Sequence, residues 1–248
     1  MQGSRDNIKT AGIIIIGNEI LSGKVHDINS FFLTSELRAL GVDVKRISVI
    51  PDDIDTIGRD AVEFSERYDY VFTTGGVGPT HDDVTIAGIA KGFGVKIVMH
   101  QEIKKILSLR YSGSFNNAIM KMTEVPEGAE IIFLEGMRFP AILFKNIFIF
   151  PGIPEYLRNK FSLIKERFRS SAFFLKRLFL NAHESDIAEI LNGVVSESKD
   201  VTFGSYPVLG KPEYRVIVTA ESRSESSLNK AVDKLIKMLP ESILAGVE

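Results

Sequence analysis

The 248-residue chain contains no cysteine, no tryptophan and only four histidines. Without cysteine it has no disulfide, no thiolate metal centre and no thiol nucleophile, and redox compartment leaves no trace in its composition. It also lacks a dominant charge. Thirty Lys and Arg against 32 Asp and Glu give a net charge of -2, so nothing draws the whole molecule to nucleic acid or to an anionic membrane surface. The expected partner is a small molecule, not nucleic acid or a bilayer. No apolar run approaches the roughly 20 residues needed to span a membrane. The polar segment of residues 1–10 has no apolar centre of the signal-peptide kind and is expected to be flexible. These absences lead to the expectation of an intracellular protein, cytoplasmic or mitochondrial. Neither a repeat nor a low-complexity tract is found.

What is present is a globular composition, 44% hydrophobic and 25% charged, enough for one large domain or two modest ones. The chain is organised around Thr73-Thr74-Gly75-Gly76-Val77-Gly78-Pro79-Thr80-His81-Asp82-Asp83. The preceding residues 70–73 are β-branched and aromatic and read as a buried strand. Three glycines in four positions leave peptide amides uncovered, so an anion could approach the main chain closely. Asp82 or Asp83 could cap a helix starting near Val84, turning the loop towards a helix N-terminus. Two adjacent carboxylates would repel a phosphate unless a hard divalent cation lay between them, which suggests metal-assisted chemistry at a phosphate. A ligand-free helix cap on a tight turn is the alternative.

Residues 11–16 form a continuous apolar run, as in a parallel strand buried on both faces. Behind it, Gly17-Asn18-Glu19-Ile20-Leu21-Ser22-Gly23-Lys24 is not a nucleotide P-loop: the glycine spacing is one residue too long and Val25 stands where Ser or Thr would bind magnesium. Phe31, Phe32, Leu33, Leu37 and Leu40 mark one helical face closed by Gly41, residues 42–50 alternate as a strand, and residues 54–67 form a second amphipathic helix. Strand, helix, strand, helix, strand implies parallel crossovers in an open α/β sheet, whose ligands bind beyond the carboxyl ends of the strands. Asn18, Glu19 and the glycine loop lie on that edge.

Further on, the pattern predicts a helix over 84–93, a strand over 95–99, a helix over 101–111 and a loop over 112–117. Strands are predicted over 129–134, 141–144 and 147–150, with a hairpin turn at Lys145-Asn146. Pro151-Gly152-Ile153-Pro154 forms a second strand-to-helix turn rich in backbone donors, either a rigid connector or a ligand contact. The basic residues Arg158, Lys160, Lys165, Arg167, Arg169, Lys176 and Arg177 read as a solvated helix face. A domain boundary is placed at Ser170-Ser171. The expected organisation is an α/β domain over 11–169 and a small βαββα domain over 172–242, with no G-x-x-G loop to suggest RNA binding.

The combination Gly12-Ile13-Ile14-Ile15-Ile16-Gly17-Asn18-Glu19-Ile20-Leu21, Asn29, Thr74 to Thr85 with its glycines and paired aspartates, and Pro151-Gly152-Ile153-Pro154 resembles the molybdopterin-binding fold of molybdenum-cofactor biosynthesis proteins. It is similar to the branch shared by competence/damage-inducible proteins and the N-terminal region of eukaryotic FAD synthases. Residues 11–33 and Gly204-Ser205-Tyr206-Pro207, followed by Tyr214, favour the FAD synthase branch. The resemblance covers nearly the whole chain. It implies a three-layer, mostly parallel sheet and a metal-dependent hydrolysis of FAD to FMN and AMP, with cobalt or magnesium and potassium as cofactors, by a homo-oligomer. ADP-ribose cleavage, and binding of molybdopterin or a flavin nucleotide without catalysis, are the alternatives. The adenylyl-transferring domain of FAD synthases would lie beyond this sequence, so the chain as given is not expected to make FAD.

The resemblance assigns catalysis to Asp27 and Asp83 and the metal to Asp82, Asp83 and Asp27. Asp27 could instead be a helix-entry cap. Ligand contacts fall to Gly17, Asn18, Glu19 and Asn29, then to Thr74, Gly75, Gly76, Gly78, Pro79 and Thr80, and to Asn117, Pro151 and Gly152. Met120 and Lys121 depart from the more polar pattern of the ADP-ribose-cleaving branch. His26 and His81 stand beside aspartates without a ligand spacing.

Overall fold

A computed structural model describes residues 8–111, 116–137, 139–171 and 173–248. The chain divides between Ser170 and Ser171 into two compact units. In the first unit the strands are β1 (Thr10–Ile16), β2 (Asp43–Ile50), β3 (Tyr70–Thr74), β4 (Ile97–Met99), β5 (Glu124–Pro126), β6 (Glu130–Ile132), β7 (Ala141–Phe144) and β8 (Ile147–Phe150). Its helices are α1 (Asn18–Leu21), α2 (Asn29–Ala39), α3 (Ile54–Arg67), α4 (Thr85–Phe93), α5 (Gln101–Arg110), α6 (Asn117–Lys121) and α7 (Pro154–Ile164), which runs on into a 3₁₀ turn, Lys165–Phe168.

Six strands form the main sheet in the order β2-β1-β3-β8-β7-β6. The β2-β1, β1-β3 and β3-β8 pairings are parallel, while β8-β7 and β7-β6 are antiparallel. Because side chains alternate along a strand, β1 feeds two cores. Ile13 and Ile15 pack with Leu33 and Leu37 of α2 and Phe161 and Ile164 of α7. Ile14 and Ile16 pack with Ile57 and Phe64 of α3, Ile89 of α4 and Leu107 of α5. The result is helix, sheet and helix in three layers. Five phenylalanines, Phe72, Phe148, Phe150, Phe161 and Phe168, stack edge and face on the α7 side, with centroids such as Phe148 to Phe168 at 4.8 Å.

Several sequence readings need correction. The predicted strand over 95–99 is reduced to Ile97–Met99 and lies outside the main sheet, because it pairs antiparallel with β5, a strand the sequence reading missed. α4 has no side-chain cap: its first amide, Thr85 N, donates to Gly76 O at 3.0 Å, so neither Asp82 nor Asp83 is needed there. The loop expected over 112–117 falls partly outside the described residues. Its last residues instead begin α6, capped by Asn116 Oδ1 accepting from Ile119 N at 3.0 Å.

The second unit holds β9 (Phe174–Leu180), α8 (Glu184–Glu197), β10 (Thr202–Pro207), β11 (Val216–Ser222), α9 (Glu225–Met238) and β12 (Leu244–Val247). Its sheet order is β10-β11-β9-β12, all antiparallel, over a core including Leu178, Val218, Ile187 and Val232. The expected βαββα unit therefore gains a last strand, which carries the fold past residue 242 to the edge of β9. Among the described residues no helix is long and apolar enough to cross a membrane.

Candidate functional site at the carboxyl edge of the sheet

The ends of β1, β3 and β8 release three loops on one edge, and side chains beneath them tie the loops together. Asn29, the first residue of α2, donates through Nδ2 to Thr74 Oγ1 at 3.0 Å and to Gly152 O at 2.7 Å. Thr74 Oγ1 in turn donates to Pro151 O at 2.9 Å. Asn29 and Thr74 are buried, so this clasp exchanges hydrogen bonds with water only weakly and holds the loops in register. Thr85 adds a second tie, its Oγ1 donating to Gly75 O at 2.8 Å.

Gly75 cannot be replaced without moving backbone. Its φ is 107°, and a Cβ there would lie 2.0 Å from Ile16 O. Its amide is spent on Phe150 O. The next three amides, of Gly76, Val77 and Gly78, donate to no group among the described residues, and all three residues are half-buried. They line a cavity of about 840 Å³ with Pro79, Asp83, Glu19, Pro151 and Gly152 on the same rim. Its far wall comes from α5, Phe139 and α7: Arg110, Tyr111, Tyr156 and Lys160 face it with Leu107 and Phe139. The volume, apolar wall and few convergent polar groups are those of a small-molecule site.

The acidic groups do not gather as the sequence suggests. Asp83 Oδ2 accepts from Thr80 N at 2.7 Å and lies 2.5 Å from Thr80 Oγ1, and Asp82 Oδ1 lies 2.5 Å from that same hydroxyl. The hydroxyl has one proton for two carboxylates. Asp82 is held below the usual carboxylate range by the Thr80 hydroxyl first, then by its own amide, His81 and Lys121. Asp82, Asp83 and Thr80 would offer a hard divalent cation the oxygen donors that such an ion prefers. Among the described residues, however, no three His, Cys, Asp or Glu side chains come together as a metal site. Asp27 is therefore not a third carboxylate in a cluster with Asp82 and Asp83. Its Oδ1 accepts from Asn29 N at 2.9 Å and Ser30 N at 3.1 Å, the helix-entry cap, and it is absent from the cavity wall.

Of the other expected contacts, Gly75, Gly76, Gly78, Pro79, Glu19, Pro151 and Gly152 reach the wall. Asn29 and Thr74 lie buried beneath the loops, and Thr80 is exposed outside the wall. Gly17 gives room to the Glu19 carboxylate, since a Cβ on it would meet Glu19 Oε1 at 2.4 Å. Asn18 is tied through its amide to Asp52 Oδ2 at 2.8 Å, and Asn117 is an exposed first residue of α6 outside the wall. His81 is almost fully exposed, its Nδ1 3.9 Å from Asp82 Oδ1. The sequence reading missed Asp52, Arg110, Tyr111, Tyr156 and Lys160. Lys160 had a signal: it shares the helical face of Leu157, Phe161 and Ile164, which are buried. The expectation of a solvated face fails there.

Fold and cavity together define a three-layer α/β protein with a large cavity beyond the carboxyl ends of its parallel strands. More narrowly, residues 12–170 match the family described as a probable molybdopterin binding domain, and residues 172–248 match the middle domain of FAD synthase. The chain belongs to the molybdopterin binding domain family. It is 37% identical to a protein of Archaeoglobus fulgidus over 92% of this chain and 96% of that one. It is 32% identical to a probable FAD synthase of Caenorhabditis elegans over 93% of this chain, and spans 50% of that relative's length. Among solved structures, a CinA protein of unknown function from Thermoplasma acidophilum superposes on 65% of this chain and 99% of its own, with a TM-score of 0.60 and 28% identity.

Proposed function

We propose that the chain is a metal-dependent hydrolase of nucleotide pyrophosphates, with FAD cleaved to FMN and AMP as its reaction. The observation that carries this reading is the meeting of the Gly76–Gly78 amides, which donate to no group among the described residues, with the Asp83 carboxylate on one rim of a cavity large enough for a flavin nucleotide, Asp82 sharing the Thr80 hydroxyl with Asp83. The likeness to probable FAD synthases supports the substrate class.

In this mechanism the three amides hold phosphate oxygens, and the Thr80 hydroxyl keeps Asp82 and Asp83 aimed at a common point. Cobalt or magnesium there would offset phosphate charge and make a bound water more acidic. Glu19, whose carboxylate lines the cavity and accepts no hydrogen bond among the described residues, takes the proton as the water oxygen bonds to one phosphorus. The bridging P–O bond breaks and its electron pair leaves with the other phosphate. Aromatic wall residues Tyr111, Phe139 and Tyr156 offer surfaces for the flat rings. Asp27 is a positioning residue in this scheme, setting the first turn of α2 and through it the Asn29 clasp.

The test is incubation of the purified chain with FAD and ADP-ribose, with and without cobalt or magnesium, and separation of products. FMN and AMP should appear only with metal. They should fall about 100-fold or more in Asp83→Asn, while Asp27→Ala should cost about 1 kcal/mol of stability with a smaller loss of rate. Tight FAD binding with no products would instead mark a non-catalytic binding module.

A further inference from the structure

Lys160 is an ammonium group in the wrong place for a packing residue. It is 7% exposed, on the face of α7 that also buries Leu157 and Phe161. Lysines at such positions usually carry the head out to water along the methylene stem. Here Nζ stays inside, donating to Pro140 O at 2.8 Å and lying 4.7 Å from the centroid of Phe139. An ammonium has three N–H donors, and this one has a single acceptor and no carboxylate partner among the described residues. A methionine would fill the same space without the desolvation cost, so packing alone does not account for the charge.

The geometry around it is specific. Lys160 lines both the large cavity and an adjoining recess of about 50 Å³, whose wall also includes Gly76, Val77, Gly78, Asp83 and Lys121. The recess has room for one phosphoryl group. Its wall joins Gly76, Val77 and Gly78, whose amides donate to no group among the described residues, to Lys121 and Lys160, with the acids Asp83 and Glu124 and apolar side chains such as Ile86 and Met122 completing it.

We propose that Lys160 is the anion-recognition residue of this cavity, its ammonium closing with the Gly76–Gly78 amides on one phosphoryl group of the ligand. The site then admits phosphorylated nucleotides and discriminates against the corresponding nucleosides. This rests on the nucleotide reading given above and names the group that selects the substrate class. The missing counterion of the buried ammonium is the ligand's own phosphate. Consistent with that, burial with no countercharge among the described residues pushes Lys160 down to about 7, and a bound phosphate would restore its proton. The other charged groups on these walls are Glu19, Asp83, Arg110, Lys121, Glu124 and Glu155, joined by the phenols of Tyr111 and Tyr156.

The experiment is calorimetric titration of the full chain, wild type and Lys160→Met, with inorganic pyrophosphate, ADP and adenosine, in two buffers of different ionisation enthalpy at mildly alkaline pH. Lys160→Met should weaken pyrophosphate and ADP about 30-fold and leave adenosine unchanged. Wild-type binding of pyrophosphate should take up about one proton per ligand, and the variant should take up none. Unchanged pyrophosphate affinity in the folded variant overturns the assignment, and so does wild-type binding without proton uptake, which needs no variant. If pyrophosphate binds through Lys160 but FAD is never cleaved, hydrolysis fails and Lys160 stands. If FAD is cleaved equally well by both proteins, the reverse holds. If neither pyrophosphate nor ADP binds the wild type, both are wrong.

Discussion

Lys160 and Asp82 show how differently two ionisable groups of one site are treated. Asp82 is exposed and stabilised as an anion by the Thr80 hydroxyl, so its contribution is to surface charge and little to stability. Lys160 is buried and destabilised as a cation. Its folded-state value of about 7 lies below the ordinary 10.5, so between those limits the unfolded chain binds more protons than the folded one and stability rises with pH. Below about pH 7 the charge is carried in both states and the burial cost, at most about 5 kcal/mol, is fully present. Lys160→Met should therefore be more stable than wild type at about pH 6, with the gap narrowing by about pH 9. Urea melts at the two pH values check this. A constant gap would mean that the lysine titrates normally.

At the level of elements, the site depends on three strand ends being held at fixed spacing, and Gly75 is where the tolerance is smallest. Any Cβ at that position enters the carbonyl of Ile16 on the neighbouring strand, and the φ of 107° is unfavourable for side chains in any case. Gly75→Ala should lower stability by about 3 kcal/mol or more and abolish ligand binding, as read by thermal melting and calorimetry. Gly78→Ala is a milder case. Its Cβ would come within 2.7 Å of Asp83 Oδ2, the end of a side chain that can turn away, so the expected result is a folded protein with a displaced Asp83. Periodicity located the strands and long helices of this layer well, with α3 bounded by the capping Asp53, whose Oδ1 accepts from Thr56 N. It failed for α6, β5 and β12, which are five residues or fewer and owe their existence to partners elsewhere in the chain.

At the level of the molecule, each unit has its own core, and every residue lining the cavity belongs to the first. A chain cut after Ser170 should unfold cooperatively and bind pyrophosphate with the affinity of the intact protein, which calorimetry on the fragment would measure. Loss of binding by a folded fragment would show that the first unit alone does not make the site. The continuous apolar run of β1, the glycine loop after β3 and the proline turn after β8 were legible in the linear chain, because strand burial and loop conformation are written in neighbouring residues. From these the parallel sheet and the loop edge that carries the cavity follow. Which acids and bases face the cavity was not legible. Asp27 and Asp83 look equivalent as letters, yet the first spends an oxygen on the amides of α2 while the second reaches the cavity. Lys160 reads as one more surface charge until α7 is rotated against the sheet. Those distinctions come from packing between segments far apart in sequence, which sets both direction and desolvation, and only the tertiary structure decides them.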